Sequence, residues 1–451
     1  MIPEQAKRAL RRLYGKNLRE DLPHLLAHSS DATRIEGKPD AVAFPTEEKQ
    51  VAETLKLANF YGFAVVPRGS GTGFSGGAVP HRGGLVLSLT RMRFMKVHRE
   101  NMVAEVEPGV ITEELQREAE RQGLFYPPDP ASLKNSTIGG NLAENAGGPR
   151  CLKYGVTKNY VLGLRVVLPS GEVIEQGRGL QKNVAGYDLM GLFVGSEGTL
   201  GIITRAWLRL LPLPPVRKSL RADFRDVGEA SRAATSLLTS GILPSALEFV
   251  DRKSLEAVAS YLGVEIKAGA SLIIQVDGDE NSVKNQLERI KNRLEEHSPL
   301  TVVIAENQEQ EEEVWKLRRS ISPALTRLKP IKINEDIVVP RSKIPQAVDF
   351  IYGLGEKYGL TVVVFGHMGD GNLHVNFMVE ESEKPRAEEA VVKLFRWVIE
   401  AGGAISGEHG IGLTKAAFLE AQLGQETYQL MRRIKLLLDP NNILNPGKIF
   451  T

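Results

Sequence analysis

Two histidines lie seven residues apart in Phe365-Gly366-His367-Met368-Gly369-Asp370-Gly371-Asn372-Leu373-His374-Val375-Asn376, and a third follows a carboxylate in Ser406-Gly407-Glu408-His409-Gly410. Imidazole nitrogens and a carboxylate oxygen make a metal site with open positions, and a further imidazole beside it is a natural proton acceptor. The flanks suggest how these groups meet. Residues 361–365 (TVVVF) and 373–379 (LHVNFMV) read as strands, rich in β-branched and aromatic side chains, around an Asp370-Gly371 turn signal. A two-residue turn there pairs His367 directly with His374, with Cβ atoms roughly 5 Å apart. Glu408 could then add an oxygen ligand from another segment, with His409 as the nearby titratable group. Asn376 shares the strand face of His374 and could orient a ligand or substrate. A solitary strand histidine is ordinarily a satisfied polar residue, but two at hairpin spacing plus a Gly-bracketed Glu-His pair favour a functional site.

The first half carries chemistry of another kind. In Pro67-Arg68-Gly69-Ser70-Gly71-Thr72-Gly73-Phe74-Ser75-Gly76-Gly77, residues Gly71, Gly73 and Gly76 match the G-x-G-x-x-G pattern of a dinucleotide site. That pattern must open a helix and be followed about 20 residues on by an acid. Here 78–84 (AVPHRGG) breaks any helix and 91–96 (RMRFMK) has no acid. What remains is a run of small residues whose backbone N–H groups can turn inward around an anion such as a diphosphate. Further segments let backbone approach a large flat ligand: 127–130 (PPDP), 136–148 (STIGGNLAENAGG), Tyr154-Gly155 and 194–204 (VGSEGTLGIIT). Their clustering suggests one extended cofactor.

These residues need two kinds of scaffold. Residues 42–211 are glycine-rich, with short strands between Gly and Pro turns and one helical pattern over 47–61, which predicts an α+β domain. Pro212, Pro214 and Pro215 cannot continue regular structure, and longer amphipathic helices follow, over 226–240 and 281–297. The main boundary is placed there. Beyond it, strands over 272–276, 301–305, 361–365 and 373–379 alternate with helices, suggesting an antiparallel sheet covered by helices on one face. The acidic run 306–313 fits the exposed start of a helix reaching Ser320, where negative charge is favoured. No internal repeat appears at solenoid periods. The division expected is an N-terminal helical segment over 1–40, a first domain over 41–215, a second over 216–405 and a C-terminal segment over 406–451.

Composition sets the bounds. At 451 residues, two or three domains are expected. Lys and Arg total 57 against 55 Asp and Glu, interspersed, so nucleic acid is not an expected partner, and Arg8, Arg11 and Arg12 read as a solvated helix face. No stretch approaches the ~20 apolar residues that cross a bilayer, and the N-terminus lacks a signal-peptide core. The single Cys151 excludes an intrachain disulfide or a multi-cysteine metal cluster within this chain. A cytoplasmic protein is expected, with room for peripheral attachment to a membrane complex.

With these motifs together, the chain resembles the flavin oxidoreductases of the vanillyl-alcohol oxidase type, in the branch of D-lactate dehydrogenase, D-2-hydroxyglutarate dehydrogenase and the glycolate oxidase catalytic subunit. The resemblance runs over nearly the whole chain. It implies a PCMH-type FAD-binding domain, a cap domain with an antiparallel sheet, and a C-terminal segment returning to the FAD domain. It implies FAD with its diphosphate on Arg68, Gly69, Ser70, Gly71, Thr72, Gly73, Ser75, Gly76 and Gly77 and on Thr137, Gly139, Gly140 and Asn141. The ring would lie near Pro128, Asp129, Asn145, Gly147, Tyr154, Gly155, Glu197, Gly201 and Ile203, with Asn445 closing back onto the same domain. Relatives with covalent flavin carry a histidine in the glycine loop; Thr72 stands at the matching position here, which implies non-covalent FAD.

The resemblance also assigns a divalent metal, Zn, Fe or Mn, to His367, His374 and Glu408, and proton abstraction to His409, with the substrate's α-hydrogen leaving as hydride to flavin N5. It places the substrate carboxylate on Arg318, which by itself would read as a helix-surface arginine. Where the 2-hydroxyglutarate enzymes carry a substrate lysine, Asn334 stands here, with Lys332 two residues upstream. That departure favours glycolate or D-lactate over a long dicarboxylate. The acceptor could be an iron–sulfur subunit, an electron-transfer flavoprotein, a quinone or oxygen, and a homodimer is compatible. Two other readings compete: a metal hydrolase, which leaves the glycine segments unexplained, and a non-catalytic flavin subunit, which leaves the histidines unexplained.

Overall fold

The computed structural model describes residues 1–450, and the chain is α+β throughout. It divides into two compact units. The first comprises Met1–Gly148, Gly155–Leu213 and the segment from Glu408 onward; the second comprises Pro149–Tyr154 and Pro214–Gly407.

In the first unit, β1 (Ala41–Ala43), β2 (Val65–Arg68) and β3 (Leu85–Ser88) form a parallel core with β3 between the other two. Their consecutive apolar residues, 41–43, 65–67 and 85–87, suit strands covered on both faces, and every residue of β1 and β3 is buried. The helices Glu4–Tyr14 and Glu48–Tyr61 bring Ala6, Leu10, Val51, Leu55 and Ala58 to that core. A five-stranded antiparallel sheet follows, ordered Met95–His98, Val103–Val106, Ile202–Arg209, Val161–Val167, Val173–Gly177. The C-terminal segment is bonded into the unit at β2. Val65 N donates to Ile443 O at 2.8 Å, and Asn445 N donates to Val65 O at 2.8 Å. The short helix α1 (Ile138–Glu144) is capped by Thr137, whose Oγ1 accepts from Gly140 N at 3.2 Å.

The second unit is built on a seven-stranded sheet. Its strands are β4 (Val216–Phe224), β5 (Ala246–Asp251), β6 (Ala270–Gly278), β7 (Thr301–Ile304), β8 (Ile331–Val338), β9 (Thr361–His367) and β10 (Asn372–Val379). They lie in the order β7-β4-β6-β5-β9-β10-β8, and every pairing is antiparallel. Helices lie on both faces rather than on the one face expected. Helix α2 (Gln308–Leu325) and helix Arg252–Leu262 cover one side, over Val250, Ile273, Val363, Phe365 and Met378. Helix Ile344–Tyr358 packs on the other, where Gly355 meets Val362. Central strands apolar on both faces, as Val362, Val363 and Val364 of β9 are, require cover on both. Helix α2 starts at Asn307, whose Oδ1 accepts from Gln310 N at 3.0 Å, with Glu309 and Glu311 in its first turn.

The stretch Pro149–Tyr154 packs with the second unit and so interrupts the continuous 41–215 domain expected. The cause is local: Lys153 Nζ forms an ion pair with Asp277, and Tyr154 OH donates to Asp277 Oδ2 at 2.9 Å. Among the described residues, no helix is long and apolar enough to cross a membrane.

Candidate functional site

The second unit gathers polar side chains at the β5, β9, β10 and β8 end of one sheet face. The turn joining β9 to β10 is longer than the two-residue turn expected. Met368–Gly371 all lie in it, and His367 O accepts from both Asp370 N and Gly371 N at 3.1 Å. The register follows from that turn: His367 opposes Asn372 and His374 opposes Phe365, so the histidines are diagonal neighbours rather than a direct pair. A shift of two residues keeps both on one face. Their rings therefore still meet, with centroids 5.2 Å apart at 84°, and each offers a nitrogen within 4.8 Å of the other's. That spacing suits two imidazoles on one divalent ion.

Glu248 is the residue the sequence reading missed. It sits on β5 opposite His367 and its side chain is fully buried. Its Oε1 lies 2.5 Å from His367 Nδ1, and its Oε2 accepts from Arg318 Nε at 2.8 Å. Burial alone would raise this carboxyl, but His367 and Arg318 outweigh it and hold the group below the usual range. Arg318 is thus no ordinary surface arginine: its guanidinium stacks 4.5 Å from the Phe365 ring centroid. Asn376 accepts from Asn334 Nδ2 at 2.7 Å and donates from its own Nδ2 to His374 O at 3.2 Å. Lys332 is on β8, opposite Met378 and two residues from Asn334. Asp336, opposite His374, accepts from Ser406 Oγ at 3.1 Å and Gly407 N at 2.8 Å.

The first unit encloses a cavity with a different construction. Its wall includes Arg68 at the end of β2, Gly69, Ser70, Gly71, Thr72, Gly73 and Gly77 from the loop that follows, and Thr137, Gly139, Gly140 and Asn141 around the start of α1. Gly147, Glu197, Gly201 and Ile203 complete the expected residues that line it, and Glu408 and His409 also face it. The loops approach so closely that a Cβ at Gly69 would collide with Thr137 Oγ1. Such closeness leaves backbone N–H groups at the surface, as a diphosphate requires. Asn445 donates from Nδ2 to Gly77 O at 3.0 Å and to Glu197 O at 2.8 Å, pinning two of these segments.

Several expected cofactor residues do not line the cavity: Ser75, Gly76, Pro128, Asp129, Asn145, Tyr154, Gly155 and Asn445. Asn145 instead accepts from Lys158 N at 2.9 Å, and Tyr154 belongs to the second unit through Asp277. Phe74 and Glu144 are among the residues not singled out that do line it. The Phe74 ring lies 5.2 Å from that of His409 at 31°, which fixes the imidazole against an aromatic face. Glu197 accepts from Ile411 N and Gly412 N, both at 2.7 Å. Burial nevertheless pushes it up to about 6, and burial together with Glu197 raises Glu144 well above the ordinary carboxylate range. A Cβ at Gly410, where φ is +87°, would strike Glu144, so glycine is required between His409 and the two carboxylates.

Family models match both halves of the chain. One described as "FAD binding domain" covers residues 39–177, and one described as "FAD linked oxidases, C-terminal domain" covers residues 213–449. The glycolate oxidase subunit GlcD of Bacillus subtilis is 42% identical over 458 residues, spanning 100% of this chain and 97% of the relative. A D-lactate dehydrogenase of Anaerostipes hadrus is 35% identical, spanning 97% of this chain and 94% of the relative. Among solved structures, p-cresol methylhydroxylase with substrate bound superposes with a TM-score of 0.81 at 19% identity, over 99% of this chain and 96% of that one. This last likeness bears on the fold.

Proposed function

Since the chain belongs to the FAD-linked oxidase family and is an oxidoreductase of that kind, we propose that it oxidises a small D-2-hydroxy acid, glycolate or D-lactate, to the 2-oxo acid. The observation that carries this is the pairing, in one chain, of a glycine-walled cavity with two buried histidines whose nitrogens lie within 4.8 Å. When bound, FAD supplies the hydride acceptor and a divalent cation the Lewis acid that acidifies the substrate hydroxyl.

The residues fit both groups. Arg68 to Gly73 with Gly77, and Thr137, Gly139, Gly140 and Asn141, would hold the diphosphate, and Gly147, Glu197, Gly201 and Ile203 the ring. Thr72 offers no imidazole for a covalent link, so acid or heat should release free FAD; flavin retained on the denatured chain would count against this. His367 and His374 would hold the cation, Zn²⁺, Fe²⁺ or Mn²⁺, with Glu408, the residue next in the chain after the anchored Gly407. Glu248 already engages Nδ1 of His367, the outer partner that a metal-ligating imidazole characteristically has.

In this reading His409 removes the hydroxyl proton at a ring nitrogen while Phe74 fixes its plane. Arg318, its Nε occupied by Glu248, turns its remaining donors to the substrate carboxylate. Asn376 orients the substrate, and Lys332 adds positive charge on the same face. Electrons would leave to a partner, an iron–sulfur subunit or an electron-transfer flavoprotein, a reading supported by the description of one relative as a subunit. Mixing the protein anaerobically with glycolate, D-lactate, L-lactate and D-2-hydroxyglutarate should bleach the flavin with the first two. Flavin that none of them bleaches would overturn the proposal.

A further inference from the structure

Five side chains of the second unit form a closed ring. Glu248 bonds His367 at 2.5 Å and Arg318 at 2.8 Å, Arg318 covers Phe365 at 4.5 Å, Phe365 lies 5.3 Å from His374, and His374 lies 5.2 Å from His367. Strand register holds four of them, since Glu248 opposes His367 and Phe365 opposes His374. Groups on paired strands are placed more precisely than groups on loops. Within the ring, Glu248 is the member that hydrogen-bonds both His367, one of the imidazoles proposed for the metal, and Arg318, the arginine proposed for the substrate.

We infer that Glu248 is a positioning residue that sets which nitrogen of His367 carries the proton and, with its other oxygen, fixes the direction of Arg318. This rests on the functional reading above. An ionised carboxylate has acceptors only, so a neutral His367 must place its proton on Nδ1, which leaves Nε2 as the ligating atom. Arg318 Nε is likewise a donor with no acceptor role. The two demands are compatible because both oxygens accept, and one fully buried side chain therefore couples two functions.

Glu248→Gln exposes the logic with little change of shape. The amide has one acceptor oxygen and one donor NH₂. Arg318 can only donate, so it takes the oxygen, and the NH₂ then faces His367 Nδ1. The imidazole must answer with the other tautomer, its proton on Nε2, where a ligand lone pair is required.

The experiment reads ¹⁵N-histidine NMR of the FAD-loaded protein without divalent metal, followed by Zn²⁺ affinity against a competing chelator. Wild type should show His367 protonated on Nδ1. Glu248→Gln should show it protonated on Nε2, with Zn²⁺ affinity lower by on the order of 10- to 100-fold and bound FAD unchanged. Glu248→Gln with the wild-type tautomer, or with wild-type Zn²⁺ affinity, would overturn the inference. If that variant does not fold, the wild-type spectrum decides, because an Nε2 proton on His367 there is also fatal. Wild type that takes up no Zn²⁺ yet carries the Nδ1 proton would remove the metal from the functional reading while supporting the role of Glu248 in setting the tautomer.

Discussion

The first unit shapes its cavity with backbone, and the second shapes its polar cluster with side chains. Around the cavity, Gly69 allows one loop to press against Thr137, and Gly410 allows the chain to pass Glu144. On the sheet, His367, His374, Glu248 and Asn376 project from strands whose register is set by continuous ladders. The difference has a physical basis. A large ligand with a diphosphate is held by many weak backbone donors over a long contour, whereas a cation and a small carboxylate need a few strong donors at fixed distances. The two sites should therefore fail independently.

The largest effect expected is on the chemical step. His409→Asn should retain FAD and slow substrate-driven flavin reduction by roughly 10²- to 10⁴-fold, the usual range for loss of a general base. Stopped-flow reduction at the wild-type rate would show that no proton acceptor is needed at that position. A smaller and more selective effect is expected at His374, where replacement by Ala should abolish stoichiometric Zn²⁺ binding while FAD content stays at the wild-type level. Elemental analysis and flavin absorbance on one sample check both halves. Loss of FAD together with the metal would break the separation between backbone-built and side-chain-built sites.

The contrast also explains what was legible in the sequence. The glycine loops and the histidine pair were visible as local patterns, because small-residue runs and hairpin spacing are properties of neighbouring residues. The exact pairing was not. Asp370-Gly371 reads as a two-residue turn, yet the chain spends Met368 to Gly371 on it and places Asn372 opposite His367. Glu248 was invisible for a different reason: it is separated from Arg318 by 70 residues and from His367 by 119. A clue was present, an acid inside the apolar run Ala246-Leu247-Glu248-Phe249-Val250, since a charge at a buried strand position needs partners. Tyr154 shows the converse. Its place among the glycine segments marks it as a point where backbone could approach a large flat ligand, whereas the long-range bond of its hydroxyl to Asp277 was not visible in that local pattern. Helices on both sheet faces were equally hidden, because periodicity reports that a helix has an apolar side and not which sheet face it meets.

The smallest effect concerns the acids in the backbone-built cavity and depends on pH. Glu197 is raised by burial from an ordinary 4.5 to about 6, against the N–H groups of Ile411 and Gly412 that favour its charge. A carboxyl raised in the fold is favoured in its protonated form, so its ionisation costs stability. That cost is absent below about pH 4.5, grows as the pH rises, and is complete above about pH 6. A shift of this size corresponds to roughly 2 kcal/mol. Glu144 is raised as well, partly by Glu197, and titrates in the same direction. Glu197→Gln removes the first ionisation and weakens the cause of the second, at the expense of a constant loss from poorer acceptors for Ile411 and Gly412. The variant should therefore lose less stability than wild type as the pH rises from 4.5 to 6. Urea unfolding of both FAD-loaded proteins across that window measures the difference. Parallel profiles would mean that Glu197 is ionised throughout, its charge fully met by the two N–H groups and by Lys415 and Lys448.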